Sequence, residues 1–202
     1  MKTSTAHDSS DVRRKILETG QRIMAAKGYS GVGLNEILAA SGVPKGSFYH
    51  YFASKDAFGE ALLEHYFEDY LDEIDAMLSE PDRTMAQRLM RYWQQWEENQ
   101  SFLECQGKCL AVKLGAEVAD FSDAMRAALD RGTAGIIRRL ADAIEAGVAE
   151  GSLAVKDEPR AAAESLYEMW LGASVMAKIV RGRKPFQSAV GATRQLLGLD
   201  AG

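Results

Sequence analysis

Apolar residues recur every three or four positions along nearly the whole chain, and no stretch alternates apolar with polar residues as a half-buried strand would. The longest stripe, Phe58, Leu62, Leu63, Tyr66, Phe67, Tyr70, Leu71, Ile74 and Leu78, continues unbroken for about six turns. A chain patterned this way can bury its apolar surface only by packing helix on helix, so the expected fold is all-α.

Breakers and caps divide the pattern into about nine helices. The first is expected to begin near Ser10-Asp11, with Ser10 as cap, and to end at Lys27-Gly28, a basic last turn followed by glycine. A second covers about Leu34 to Ser41, and the turn Gly42-Val43-Pro44-Lys45 leads into a third, short helix ending near Tyr51. Ser54 caps the fourth, which "SEPDRT" (79–84) closes before a fifth bearing Met85, Leu89, Tyr92, Trp93 and Trp96. "ENQSFLECQGK" is the least regular stretch. Helices of about Cys109 to Ala119 and Ser122 to Glu150 follow it, and Pro159 suits the first turn of an eighth at about 159–181. That eighth helix is apolar on two sides (Leu166, Met169, Trp170, Ala173, Ala177 and Val180; Tyr167, Leu171, Val175 and Ile179), so it needs two partners. The ninth occupies about 185–198.

The chain of 202 residues carries a net charge of −5, which by itself argues against nucleic acid. The distribution argues the other way. Residues 1–58 hold eight Lys/Arg against five acids, +3, leaving −8 on the remainder. No apolar run approaches the roughly 20 residues of a membrane span. "MKTSTAHDSSDVRRK" lacks the apolar core of a signal peptide, so a cytoplasmic protein with a disordered polar tail at 1–10 is expected.

Two helices joined by a four-residue turn, with a third helix before them, make a helix-turn-helix, whose second helix lies in the major groove. Gly42 can take the left-handed conformation that the turn needs. Phe48 and Phe52, four apart, share the inward face of the third helix, while Tyr49 and His50 point elsewhere. Lys45 and Ser47 stand at its start, where side chains meet phosphates or bases. Lys55 adjoins the N-terminus of the fourth helix, a favourable place for an anion.

Residues 13–59, including "ILETGQRIMAAKGYSGVGLNEILAASGVPKGSFYHYFASKDAF", resemble the N-terminal domain of the TetR family of bacterial transcriptional repressors. The Phe-Tyr-x-Tyr-Phe block followed by Ser-Lys carries the resemblance. Leu34 departs from it, standing where the family often has threonine. The resemblance implies a helix-turn-helix DNA-binding domain at 11–58 and a ligand-binding and dimerisation domain at 59–202. It implies a homodimer through the helices at about 159–181 and 185–198, bound to a palindromic double-stranded operator. DNA contact is assigned by resemblance to Lys45, Ser47, Tyr49, His50 and Lys55.

The segment "CLAVKLGAEVADFSDAMRAALDRGT" is similar to a branch of TetR-like repressors answering to electrophiles or acrylate-type metabolites. Two readings of Cys105 and Cys109 stand open. Lys108 and Lys113 would raise the thiolate fraction of a sensor thiol; equally, both cysteines serve as small core hydrophobes. Trp93, Trp96 and Trp170, with Phe102, Tyr167 and Met169, either line an apolar effector pocket or form core. Lys113, Glu117 and Lys178 are candidates to orient an acidic ligand. No cofactor motif is present, and His7, His50 and His65 are not spaced to complete a metal site. A thiol enzyme is the rival class, but no base is placed to pair with either cysteine.

Overall fold

The computed structural model describes residues 4–100 and 109–199. Nine α-helices occur among them and no strand. They are α1 (Ser4–Lys27), α2 (Leu34–Ser41), α3 (Lys45–Tyr51), α4 (Lys55–Leu78), α5 (Met85–Asn99), α6 (Leu110–Val118), α7 (Asp123–Ala149), α8 (Pro159–Val180) and α9 (Lys184–Leu196). The start of α1 differs most from the sequence expectation. It lies well before the Ser10 cap, because Thr5 to Ser10 contains neither proline nor glycine to stop a helix.

Local chemistry accounts for the other ends. The Ser54 hydroxyl accepts the Ala57 N–H at 3.0 Å at the head of α4. Thr84 and Gln87 cap α5 reciprocally, each side chain accepting the other's backbone N–H, at 3.3 and 3.0 Å. Gly42 closes α2 at φ 66°, the left-handed value that lets the chain turn into α3. Gly33 precedes α2 and offers no side-chain cap.

Contacts divide the chain into two compact units, one drawn from Met1–Glu68 with Gln106–Gly132 and the other from Asp69–Cys105 with Thr133–Gly202. In the first, α1, α2 and α3 close on the start of α4. Phe48 is fully buried against Phe52 and Phe58, ring centroids 5.1 and 5.5 Å away. Gly20 lets α1 approach α4 closely, since a methyl group there would lie 2.4 Å from the Phe58 ring. Later in the same unit, Gly132 of α7 admits the Phe67 ring, which a Cβ would meet at 2.2 Å.

The second unit is built on aromatic rings. Trp93 of α5 stacks on Trp170 of α8 at 4.9 Å, and Trp170 stacks on Phe186 of α9 at 6.0 Å. The Trp170 indole donates to the Thr193 hydroxyl and that of Trp96 to the Ser174 hydroxyl, both at 2.9 Å. These hydroxyls donate onward to the carbonyls of Ala189 and Trp170, so both indole N–H groups and both hydroxyls are satisfied, whereas the buried Trp93 indole nitrogen has no hydrogen-bond partner among the described residues. Arg139 of α7 grips the Asp75 carboxylate of α4 through two nitrogens, at 2.6 and 2.7 Å.

The two faces of α8 divide differently from the sequence pattern. Tyr167 turns inward with Leu166, Trp170, Ser174 and Ala177, whereas Val180 is exposed beside Val175, Met176 and Ile179. Periodicity separates two apolar faces, but only the positions of α5 and α9 determine which side becomes core.

Candidate nucleic-acid interface and effector region

The seven residues of α3 are too few to hold a helix alone, so its face must be set by what it buries. Phe48 and Phe52 are that anchor. With them inward, Lys45, Tyr49 and His50 are exposed and Ser47 half-exposed, giving a polar and aromatic surface next to the Gly42 turn. Tyr49 shows 52% of its surface while its ring meets Phe48 edge-on. Arg13 of α1 lies over the Phe52 ring at 5.4 Å.

Lys55 does not join this exposed group. Its ammonium donates to the Tyr29 carbonyl at 3.0 Å and sits 4.2 Å above the Tyr29 ring. The Tyr29 hydroxyl donates to Asp56 at 2.7 Å. Burial, this hydrogen bond and the nearby carboxylates together push the Tyr29 hydroxyl well above its ordinary pKa, so it remains a donor.

Glu117 of α6, a candidate for orienting an acidic ligand on sequence grounds, has a different task. Its carboxylate accepts the backbone N–H groups of Tyr29 and Ser30, at 3.0 and 2.7 Å. Burial raises its pKa, but hydrogen bonds from Ser30 and Tyr29 and the charge of Lys113 outweigh this and hold it below the ordinary 4.5. Because the folded pKa is the lower one, the tie is complete above 4.5 and weakens only as pH falls through the depressed value. The downfield amide-proton shifts of Tyr29 and Ser30 should therefore persist on acidification and disappear with a midpoint below 4.5. A midpoint at or above that value contradicts the assignment.

Cys109 is buried and occupies the N-cap position of α6, with Lys113 one turn on. Cys105, the other candidate sensor thiol, lies outside the described residues, as do Phe102 and Lys108. Trp93 and Trp170 are completely enclosed and stacked, so they are core rather than pocket wall. Trp96 borders a narrow cleft with Tyr70, Ile74, Tyr92 and Asn99, whose volume of about 10 Å³ holds no more than a water molecule. A wider open groove beside α5, about 480 Å³, is bordered by Arg83, Arg91, Gln94 and Glu97, with Met90 and Val190 as its apolar part. Among the described residues no group of three His, Cys, Asp or Glu could hold a metal, and no helix is long and apolar enough to cross a membrane.

Helical spacing separates the inward and outward faces of α3, but nothing in it places Glu117 against Tyr29. The one local signal for this contact is Gly28, whose φ of 82° aims the following N–H groups together.

The family model described as bacterial regulatory proteins, tetR family, matches residues 16–62, and one described as tetracyclin repressor-like, C-terminal domain, matches 86–193. The chain is 38% identical over 195 residues to the HTH-type transcriptional repressor NemR of Escherichia coli K12, covering 96% of this chain and 98% of that protein. It is 34% identical over 183 residues to the transcriptional regulator AcuR of Cereibacter sphaeroides, covering 91% and 84%. The crystal structure of E. coli NemR in its reduced form superposes with a TM-score of 0.89 at 39% identity, over 95% of this chain and 100% of that one.

Proposed function

The chain belongs to the tetR family of bacterial regulatory proteins, and from that premise we propose how its residues divide the work of a ligand-responsive transcriptional repressor. Proteins of this family bind DNA and small-molecule effectors and act as dimers. The chain is a transcriptional regulator, not an enzyme. In our reading residues 11–58 are the DNA-binding domain and 59–202 the ligand-binding and dimerisation domain, working in the cytoplasm.

The observation that carries the DNA assignment is the split of α3, with Phe48 buried and Lys45, Tyr49 and His50 exposed behind the Gly42 turn. Lys45 and Ser47 contact phosphate, Tyr49 and His50 reach phosphate or base edges, and Lys55 contributes by positioning. Two such heads occupy successive major grooves of a palindromic operator, about 34 Å apart. The dimer forms through α8 and α9. Val175, Met176, Ile179 and Val180 support this, being large apolar side chains grouped in the open on α8, with Ile179 68% exposed.

Release follows when an effector favours the state that does not fit the operator. We assign the effector to electrophiles or acrylate-type compounds sensed near Cys105 and Cys109. The position of Cys109 at the N-terminus of α6, near Lys113, favours a thiolate there. Its burial, 6% exposed, favours the second reading, a non-covalent ligand and inert cysteines.

Selection of bound genomic fragments followed by gel-shift titration tests the first part. Lys45→Ala should weaken binding to every retained fragment and reduce the salt slope by about one. Absence of any retained fragment rejects the reading. Cys105→Ser and Cys109→Ser, treated singly with N-ethylmaleimide, separate the two effector readings: if both are released from DNA as the wild type is, the covalent one fails.

A further inference from the structure

Tyr29 is held on three sides. Its N–H and that of Ser30 are taken by the Glu117 carboxylate of α6, its carbonyl and ring by Lys55, and its hydroxyl by Asp56. Tyr29 lies in the loop before α2, and Lys55 and Asp56 form the first turn of α4, just after α3. The two ends of the α2–α3 pair therefore meet at one residue. Gly28 makes this possible twice over. Its φ of 82° turns the next two N–H groups in one direction, and a Cβ in its place would stand 2.9 Å from a Glu117 oxygen. Gly59 of α4 and Met125 of α7 close the other side, a Cβ at Gly59 lying 3.1 Å from the Tyr29 ring and 2.4 Å from the Met125 sulfur.

We infer that Glu117 is the positioning residue through which α6 sets the attitude of the DNA-reading helix pair. The inference rests on the DNA-binding role of α3 and adds a residue that touches no DNA. Glu117 stands 88 residues from Tyr29 in the chain, and the contact has no counterpart in the spacing of the head itself. A carboxylate suits the task because both of its oxygens accept, one for each N–H. An amide in the same place offers one acceptor and turns N–H toward N–H. A shift of α6 along its own axis would pull on the loop before α2 through two charge-assisted hydrogen bonds, which are stiffer than an apolar contact and lost over a short displacement.

The test compares Glu117→Gln and Glu117→Ala with the wild type on a fragment the wild type retains. Both variants should bind about tenfold more weakly. The salt slope should stay unchanged because no phosphate contact is removed, whereas Lys45→Ala lowers it. In NMR spectra the Tyr29 and Ser30 amide protons should move upfield. The signals of Lys55 and Asp56, which Glu117 does not touch, should move with them, a response that loss of stability alone would not produce at those sites. Binding within twofold of wild type in both variants, or shifts confined to Tyr29 and Ser30, overturns the inference and leaves the DNA-binding reading intact. Failure of the wild type to retain any fragment strikes that reading first, and the two failures are distinct.

Discussion

Trp170→Ala is expected to cost about 3–5 kcal/mol, the range for removing a large aromatic from a close-packed core. The ring is wholly buried, stacks on Trp93 and on Phe186, and so joins α5, α8 and α9 in one layer. Its removal leaves a cavity bounded by two large rings that cannot both collapse into it, and deprives the Thr193 hydroxyl of its donor. Thermal unfolding followed by circular dichroism should show a midpoint lowered by on the order of 10 °C. Trp170→Phe, which keeps a ring but not the N–H, should cost about 1–2 kcal/mol. A midpoint unchanged by the alanine variant would mean that Trp170 borders open space after all and would return it to the candidate effector wall.

Phe48→Ala should be as costly, about 3–5 kcal/mol, but its consequence is functional as well as thermodynamic. Phe48 is the one fully buried side chain of α3 and touches Phe52, Phe58 and Tyr49. A seven-residue helix has no stability of its own to fall back on. Without this ring α3 has no defined attitude, and Lys45, Tyr49 and His50 lose their common placement. DNA affinity should fall by about a hundredfold or more, corresponding to at least about 2.7 kcal/mol. Gel-shift titration checks this alongside circular dichroism, in which most helix should survive because α3 contributes few residues. Binding within tenfold of wild type would show that the exposed row is held by something other than Phe48.

The helical fold could be read directly because helix periodicity is a local property. The stripe from Phe58 to Ile74, the Ser54 cap and the left-handed turn at Gly42 each depend on residues within a few positions of one another, and each occurs as the spacing requires. The inward pair Phe48 and Phe52 follows from the same four-residue rule. The capping box of Thr84 and Gln87 is equally local, a threonine followed three residues later by glutamine, although the break at 79–84 was all that the pattern of apolar residues marked there.

The site was legible only where it is local. Spacing alone leaves Lys55 beside a helix N-terminus, available to phosphate; the fold gives its ammonium a carbonyl and an aromatic face at Tyr29. Spacing leaves Glu117 as a charge on α6; the fold gives it two backbone N–H groups from another part of the chain. Trp93 and Trp170 were ambiguous between pocket and core until α5 met α8 and their rings stacked. That the chain is a set of helices with a helix-turn-helix near its start follows from local pattern, because amphipathic spacing, caps and turns act over one or two turns of helix. Tertiary structure alone decided which apolar face of α8 is core, which tryptophans are closed off and which charge holds the loop before α2. Each of those depends on a neighbour that only packing brings within reach, and a side chain's partner is not encoded in its own helix.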